Sequence, residues 1–258
     1  PPPPRNPQRG PPPPPSTPLS SSRSAPAPLG TAFLSKPLSL CLKGGSQPAM
    51  QKSEAAKAAA DEWESTYEGG KTVYTEAPFP CIAEIFKTHI PKKSKVLDLG
   101  AGYGRDSVWV AEQLGCSVVA VEPTSNGIEQ LKKRAESQGV GAQVETVCGT
   151  TLEWEHEGGF DAILMDSVLS FVSAEEKPAT VTKCLSALRP GAVFIVVSHP
   201  EKDDAKWVSK LVEGSSEKSS VEVIMDDAEH PYTMTFEEDG KPYTHNGHWS
   251  VTIVKKKA

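Results

Sequence analysis

The fold is decided by one stretch of sequence, Lys95-Val-Leu-Asp-Leu-Gly-Ala-Gly-Tyr-Gly-Arg105. A largely apolar segment leads into three alternating glycines, and an amphipathic segment follows directly. A strand, a glycine-rich turn and a helix in this order form a ligand pocket at the carboxyl edge of a parallel sheet. The spacing is Gly100-x-Gly102-x-Gly104, whereas a dinucleotide-binding turn has its third glycine one position later. The spacing therefore disfavours a nicotinamide-dependent dehydrogenase.

Outward from this stretch, the sequence alternates between strand-like and helix-like segments. Such alternation predicts βαβ units and a parallel sheet. After residue 220 the pattern changes to hairpin-type strands around an Asp239-Gly240 turn, which predicts an antiparallel end to the sheet. The predicted strands are 95–99, 117–122, 143–148, 160–166, 192–198, 221–225, 232–236 and 249–254, and the predicted helices are 51–68, 81–89, 105–114, 125–138, 173–188 and 202–213.

The series Asp98-x-Gly100-x-Gly102-x-Gly104 resembles motif I of the class I S-adenosylmethionine-dependent methyltransferases. The later Leu188-Arg-Pro-Gly191 is similar to the turn that precedes the fifth strand in that family. The resemblance implies an α/β fold with a Rossmann-like, mostly parallel seven-stranded sheet, helices on both faces and an antiparallel C-terminal hairpin. It also implies S-adenosylmethionine as the cofactor.

The resemblance assigns roles to residues at the ends of successive strands. Asp98 is expected near the amino-acid end of the cofactor, and Glu122, 24 residues later, accepts hydrogen bonds from the ribose hydroxyls. Thr150 stands where the family has an acidic residue that reaches the adenine amino group, which leaves adenine recognition there in doubt, because a neutral hydroxyl makes a weaker hydrogen bond. The predicted cofactor-binding residues are Asp98, Gly100, Ala101, Gly102, Glu122, Pro123, Thr150 and Asp166.

The reacting groups are less well defined. Tyr74 and Ser167 are predicted on the substrate side of the cofactor. His199, just after the fifth strand, and His245, in the terminal hairpin, are weak candidates for a general base. Methyl transfer from a sulfonium can rely mainly on positioning, so the catalytic residue is left unassigned.

Charge and composition narrow the partners. Residues 1–49 carry five basic and no acidic residues, so a whole-chain charge of −6 leaves about −11 on residues 50–258. An acidic body is a poor match for nucleic acid or an anionic membrane surface, and a small-molecule substrate is expected. The five cysteines are scattered, which predicts neither a disulfide framework nor a zinc site.

The chain divides into a tail and a domain. Residues 1–49 are rich in Pro and Ser and are predicted to be disordered, residues 50–258 to form the methyltransferase domain, and residues 50–90 its helical cap. Three interpretations of the tail remain open: an organelle transit peptide, an incomplete gene model (the first methionine is Met50), and a proline-rich ligand for SH3-like domains. The expected location is cytoplasmic, or plastid or mitochondrial if the tail is a transit peptide.

Two functions are carried forward. The first is methyl transfer to a small-molecule acceptor without a metal. The alternative is a non-catalytic, cofactor-binding module that acts as a partner-interaction subunit, suggested by Thr150 and by the lack of an obvious base.

Overall fold

The computed structural model describes residues 54–68, 75–155, 158–199, 207–238 and 241–258, with the backbone alone for 54–56, 234–238, 241–243 and 245. The predicted tail and Tyr74 lie outside these residues. Within them, no helix combines the length and the apolar character needed to cross a bilayer. The helices are α1 (Glu54–Thr66), α2 (Pro80–His89), α3 (Arg105–Leu114), α4 (Ser125–Ser137), α5 (Lys177–Ala187) and α6 (Trp207–Gly214), and the strands are β1 (Lys95–Leu99), β2 (Ser117–Glu122), β3 (Val144–Cys148), β4 (Phe160–Asp166), β5 (Leu188–Ser198), β6 (Val221–Glu238) and β7 (Lys241–Lys256).

The strands form one seven-stranded sheet in the order β3-β2-β1-β4-β5-β7-β6. Strands β1 to β5 pair in parallel, whereas β7 is antiparallel to both β5 and β6. This confirms the predicted seven-stranded, mostly parallel sheet with an antiparallel C-terminal hairpin. The chain runs outward from β1 to β3 and then returns to β4 on the other side of β1. The carboxyl ends of β1 and β4 therefore border a topological switch point, where open α/β sheets bind ligands.

The core lies on both faces of the sheet, as continuous apolar strands require. On one face, Ile82 and Phe86 of α2 and Val108 of α3 pack against the strands. On the other face, Val181 of α5 and Val208 of α6 do the same. Both faces of β1 are covered, so its side chains from Val96 to Leu99 are withdrawn from water, and the glycine turn begins directly after this buried segment.

Several element boundaries differ from the prediction: β5 begins at Leu188 and β7 at Lys241, ahead of the predicted 192 and 249, and two further differences concern α5 and β6. The capping box forms, since the Ser173 amide donates to the Glu176 carboxylate and the Glu176 amide donates to Ser173 Oγ, both at 3.3 Å. The regular helix nevertheless begins at Lys177, one turn later than predicted. The predicted strands 221–225 and 232–236 are parts of a single strand, β6, which runs through Pro231. Because β6 is an edge strand, one of its sides needs no ladder hydrogen bonds, and a proline is tolerated there.

Candidate functional site

The glycine turn after β1 closes tightly against its neighbours. The amides of Gly100 and Ala101 both donate to the Val121 carbonyl of β2, at 2.8 and 3.0 Å. Gly100 and Gly102 have φ angles of +72° and +55°. A Cβ at Gly100 would collide with Val168, and one at Gly102 would lie 2.6 Å from the Tyr67 hydroxyl. The turn therefore accepts only glycine at these positions, and its backbone faces a cleft.

Glu122 ends β2 inside the same cleft and is held by three protein donors. Its Oε2 accepts from the Gly102 amide at 2.9 Å, and its Oε1 accepts from the Thr124 amide at 3.1 Å and from the Thr124 hydroxyl at 2.5 Å. The Thr124 hydroxyl also accepts from the Gly127 amide at 3.2 Å, as the N-cap of α4. Burial raises the pKa of Glu122, and these hydrogen bonds act against the rise. One orientation of the carboxylate is thus fixed before any ligand binds.

A second set of acidic side chains lies around Arg105, the first residue of α3. Its guanidinium binds both carboxylate oxygens of Asp106, at 2.7 and 2.8 Å, and one oxygen of Asp166, at 2.6 Å. Asp98 lies beside them and accepts from the Ser107 hydroxyl at 2.5 Å. We refer to Asp98, Arg105, Asp106 and Asp166 as the aspartate cluster. It holds three carboxyl groups for one guanidinium.

Burial raises the pKa of two of these carboxyl groups into the range of physiological pH. Burial and, next, the charge of Asp106 raise the pKa of Asp98 to about 7. Burial also raises the pKa of Asp166 to about 6, although Arg105 opposes the rise. Carboxyl groups in this range exchange protons near physiological pH, as a general base does.

The cleft of about 140 Å³ between these groups is roofed by aromatic side chains. Trp63 and Tyr67, at the end of α1 and just after it, stack with ring centroids 5.4 Å apart, and Phe171 meets Trp63 edge-on at 5.5 Å. The Glu64 carboxylate accepts from the Asn126 amide at the start of α4, and this contact ties α1 over the cleft. The described residues that line the cleft also include Ala59, Ala60, Tyr103, Gly149, Thr151, Leu152, Val168, Val172 and Glu176.

The structure brings the predicted cofactor residues together. All eight of them, and Ser167, line this one cleft. Their roles toward a ligand stay predictions. The candidate bases do not share this placement: His199 is not among the described lining residues and packs against Trp249 with ring centroids 5.6 Å apart. His245 lies in β7 opposite Met234, beyond the end of β5, and its side chain is outside the description.

The sequence motifs did not identify Arg105, Asp106, Tyr67 or Phe171 as residues of the site, whereas Trp63 could be predicted to close over the substrate. One signal was available for Arg105, because a positive charge in the first turn of a helix opposes the helix dipole unless a carboxylate faces it. No comparable signal marks Tyr67 or Phe171, whose position depends on how α1 and the loop after β4 meet. Among the described residues, no cluster of three or more His, Cys, Asp or Glu is arranged to hold a metal ion.

Comparison with known proteins agrees with this geometry. Residues 96–191, from β1 to the start of β5, match the family model of the methyltransferase domain. Sarcosine/dimethylglycine N-methyltransferase from Halorhodospira halochloris is 29% identical over 112 residues, 43% of this chain and 39% of that protein. The tRNA 5-carboxymethoxyuridine methyltransferase of Escherichia coli K12 is 34% identical over 107 residues, 40% of each chain. The chain thus spans about two fifths of the length of these curated relatives.

A solved structure extends the match to the rest of the fold. The 1,6-didemethyltoxoflavin-N1-methyltransferase of Burkholderia thailandensis, which holds 1,6-didemethyltoxoflavin and S-adenosylhomocysteine, superposes with a TM-score of 0.58. It is 18% identical, and the match covers 83% of this chain and 94% of that one. The likeness of fold therefore extends over most of the chain, well beyond the residues that match the family model. The family match over residues 96–191, together with the sheet order and the site, supports the class I S-adenosylmethionine-dependent methyltransferase superfamily for this chain.

Proposed function

We propose that the chain is an S-adenosylmethionine-dependent methyltransferase that acts on a small-molecule acceptor. One observation carries the proposal: the Glu122 carboxylate, the glycine turn and the aspartate cluster converge in a single cleft at the carboxyl ends of β1, β2 and β4. The Gly102–Glu122 hydrogen bond joins the first two of these within the site. Cofactor-sized ligands bind to α/β sheets at this edge.

The residues of the cleft fit the cofactor in shape and in charge. Gly100 and Gly102 leave open backbone where a Cβ would collide with the cleft wall or roof, so the turn can approach a ligand closely. Oε2 of Glu122 accepts one protein hydrogen bond and keeps a lone pair for a ligand hydroxyl. Three aspartates against one guanidinium leave negative charge that a sulfonium and an ammonium group would compensate.

The chain's own residues can position the reactants and exclude water. When bound, the cofactor supplies a methyl group on a sulfonium whose leaving group is a neutral thioether. Trp63, Tyr67 and Phe171 cover the cleft and keep bulk water away from it. Asp166, beside the predicted substrate-side Ser167, has a pKa near 6 and can take a proton from an acceptor that must lose one.

The electrostatics of the cleft support a small molecule over a nucleic acid. Five carboxylates line the cleft, from Asp98, Asp106, Glu122, Asp166 and Glu176, and Arg105 is the one basic side chain among the described lining residues. Arg105 is already bound to two carboxylates. Phosphate backbones are bound by clusters of free Lys and Arg, so this entrance is unsuited to them. One curated relative is named for its action on tRNA, and the acceptor class therefore needs a direct test.

Calorimetric titration of the full chain with S-adenosylmethionine and with S-adenosylhomocysteine tests the cofactor. Binding should be in the micromolar range, and Glu122→Gln should weaken it by about 10- to 100-fold, because hydrogen bonds to charged groups contribute ~1.5–3 kcal/mol. The control is Glu129→Gln on the exposed face of α4, where Glu129 pairs with Lys133. Absence of heat with the wild-type chain, or an unchanged affinity in Glu122→Gln, would contradict the proposal.

Incubation with methyl-labelled cofactor separates catalysis from binding alone. The alternative of a non-catalytic module has one observation in its favour: no His, Lys or Cys occurs among the described residues that line the cleft. Label that moves into the acid-soluble fraction of a metabolite extract supports the proposed enzyme. Label that moves into purified tRNA overturns the small-molecule acceptor. Retention of all label on the cofactor, with normal binding, favours the module.

A further inference from the structure

One wall of the cleft is the short loop that follows β3, and side chains of Trp154 and Lys183 bind its backbone. Gly149, Thr150, Thr151 and Leu152 line the cleft. Residues 151–153 form a turn that faces α5 on its other side. Thr150 stands where related enzymes have an acidic residue, so a strong ionic contact to a ligand is lacking at that position. The value of this wall for binding then depends on how firmly it is held.

Side chains hold three main-chain carbonyls of this loop. The Trp154 indole N–H donates to the Thr151 carbonyl at 2.8 Å. Lys183 of α5 donates through Nζ to the carbonyls of Leu152 and Trp154, at 2.7 and 2.5 Å. Short hydrogen bonds from an ammonium group are stronger than those between neutral groups. Lys183 and Trp154 thus hold the loop together with two further contacts, from the Thr150 amide to the Glu153 carboxylate at 3.1 Å and between the Thr151 and Thr180 hydroxyls at 3.4 Å.

The anchor itself is rigid because it is packed into the core. Trp154 is only 3% exposed and belongs to the apolar cluster on the α5 face. Its ring meets Phe160 of β4 edge-on at 6.2 Å, and Lys183 Nζ lies 4.3 Å from its centroid. A cation over an indole ring is attracted to it. Lys183 is therefore held in place on the ring side as well as by its two carbonyls.

We propose that Lys183 is a positioning residue that holds the 149–152 wall in its binding conformation and so sets the affinity for the adenosine half of the cofactor. The inference rests on the proposed function, since it takes S-adenosylmethionine as the ligand. Lys183 is not among the described lining residues and acts through the loop. A loop that is ordered before binding loses less conformational entropy when the ligand binds. Binding is then stronger without any new contact.

Calorimetry with two ligands, S-adenosylhomocysteine and adenosine, tests the role of Lys183. Lys183→Met keeps the alkyl stem and removes the ammonium donors. We expect the Kd of both ligands to rise about tenfold, which corresponds to ~1.4 kcal/mol. Lys183→Arg retains a charged donor and should restore most of the affinity. Amide hydrogen exchange of the 149–155 segment should rise in Lys183→Met and return toward wild type in Lys183→Arg.

The matched control is Lys133→Met on α4, whose side chain is 71% exposed and pairs with Glu129, and it should leave both affinities unchanged. Unchanged affinities in Lys183→Met, a loss confined to S-adenosylhomocysteine, or no recovery in Lys183→Arg would each overturn the inference. If Lys183→Met fails to fold, Trp154→Phe removes the indole donor to Thr151 together with part of the buried ring under Lys183, and it should weaken both ligands. Failure of the wild-type chain to bind S-adenosylhomocysteine would instead contradict the proposed function.

Discussion

The two acidic parts of the cleft are built in opposite ways. At the end of β2, one carboxylate, Glu122, receives three hydrogen bonds from Gly102 and Thr124. At the ends of β1 and β4, the aspartate cluster places three carboxyl groups around one guanidinium and one hydroxyl, those of Arg105 and Ser107. The first part is satisfied by the protein alone. The second retains negative charge in a buried place.

The difference separates orientation from charge compensation. The fixed donors offset part of the cost of keeping the buried Glu122 carboxylate ionised, and they present its remaining lone pair in one direction. A buried group of like charges is costly, and either protons or a cationic ligand lower that cost. We therefore expect the Glu122 side to select a ligand by shape and the aspartate cluster to select it by positive charge.

The largest expected effect on the free energy of unfolding comes from removing Arg105, the cation of the aspartate cluster. Arg105→Met leaves three buried carboxyl groups without a counter-charge, and removal of one partner of a buried ion pair typically costs ~3–5 kcal/mol. The loss should be greatest above pH 7 and should shrink as the pH falls, because protonation removes the repulsion. Urea unfolding of the chain at several pH values measures both effects.

Arg189→Met is the matched control, since Arg189 pairs with Asp161 at 2.9 Å but is 49% exposed. An exposed pair contributes about 0–1 kcal/mol, so this variant should unfold close to wild type. Equal losses in the two variants would mean that the cluster is not a buried charged group.

The sequence predicted Glu122, Asp98 and Asp166 as site residues, but it did not predict that Arg105 joins Asp166 to Asp106. Glu122 could be found because its position at the end of the second strand follows from the alternation of strands and helices. The contact between Arg105 and Asp166 joins residues 61 positions apart. It depends on the angle at which α3 leaves the glycine turn, and no short-range pattern encodes that angle.

The same limit applies to the fold. Strand and helix bounds from β1 to β4 were predicted within a residue, because glycines and apolar runs mark them locally. The full extent of β6 was not predicted, because a proline such as Pro231 usually ends a strand. It is tolerated only in a strand at the edge of a sheet. Edge position is a property of the sheet order, and only the assembled sheet reveals it.

A smaller effect sharpens the comparison at Asp98, where the native state favours the protonated carboxyl. Its pKa is raised from 3.8 to about 7, so its stability contribution is fully present below about pH 4 and is lost as the pH rises to 7. Asp98→Asn, which stays neutral, should therefore match wild type near pH 4 and exceed it at pH 8. We expect a gain of at least about 1 kcal/mol, or ~2–4 °C in Tm.

The same variant should lose more affinity for S-adenosylmethionine than for S-adenosylhomocysteine, because only the former carries the sulfonium charge. Asp61→Asn, at an exposed site on α1, serves as the control for both readouts. A Tm that rises equally in the two variants, or a rise that does not depend on pH, would show that burial does not disfavour the ionised form of Asp98.

The smallest effect concerns Ser167, which links the cluster to the predicted substrate side. Its hydroxyl donates to Asp166 at 2.8 Å, and its φ angle is +61°, in the left-handed region. Ser167→Ala and Ser167→Gly both remove the hydroxyl, but only glycine relieves the backbone strain. Ser167→Gly should therefore be the more stable of the two by about 1 kcal/mol, measured by urea unfolding.

Lys93 provides the matched comparison, because its φ angle is +60° and it lies at the amino end of β1, away from the cleft. Lys93→Gly should exceed Lys93→Ala by a similar amount, with cofactor affinity unchanged in both. At Ser167 the affinity should fall in both variants, because Asp166 loses the hydroxyl donor that helps to fix its orientation. Equal stability of the Ala and Gly variants at Ser167 alone would show that its backbone is not strained there. Strain would then be absent from the residue that joins the aspartate cluster to the predicted substrate side.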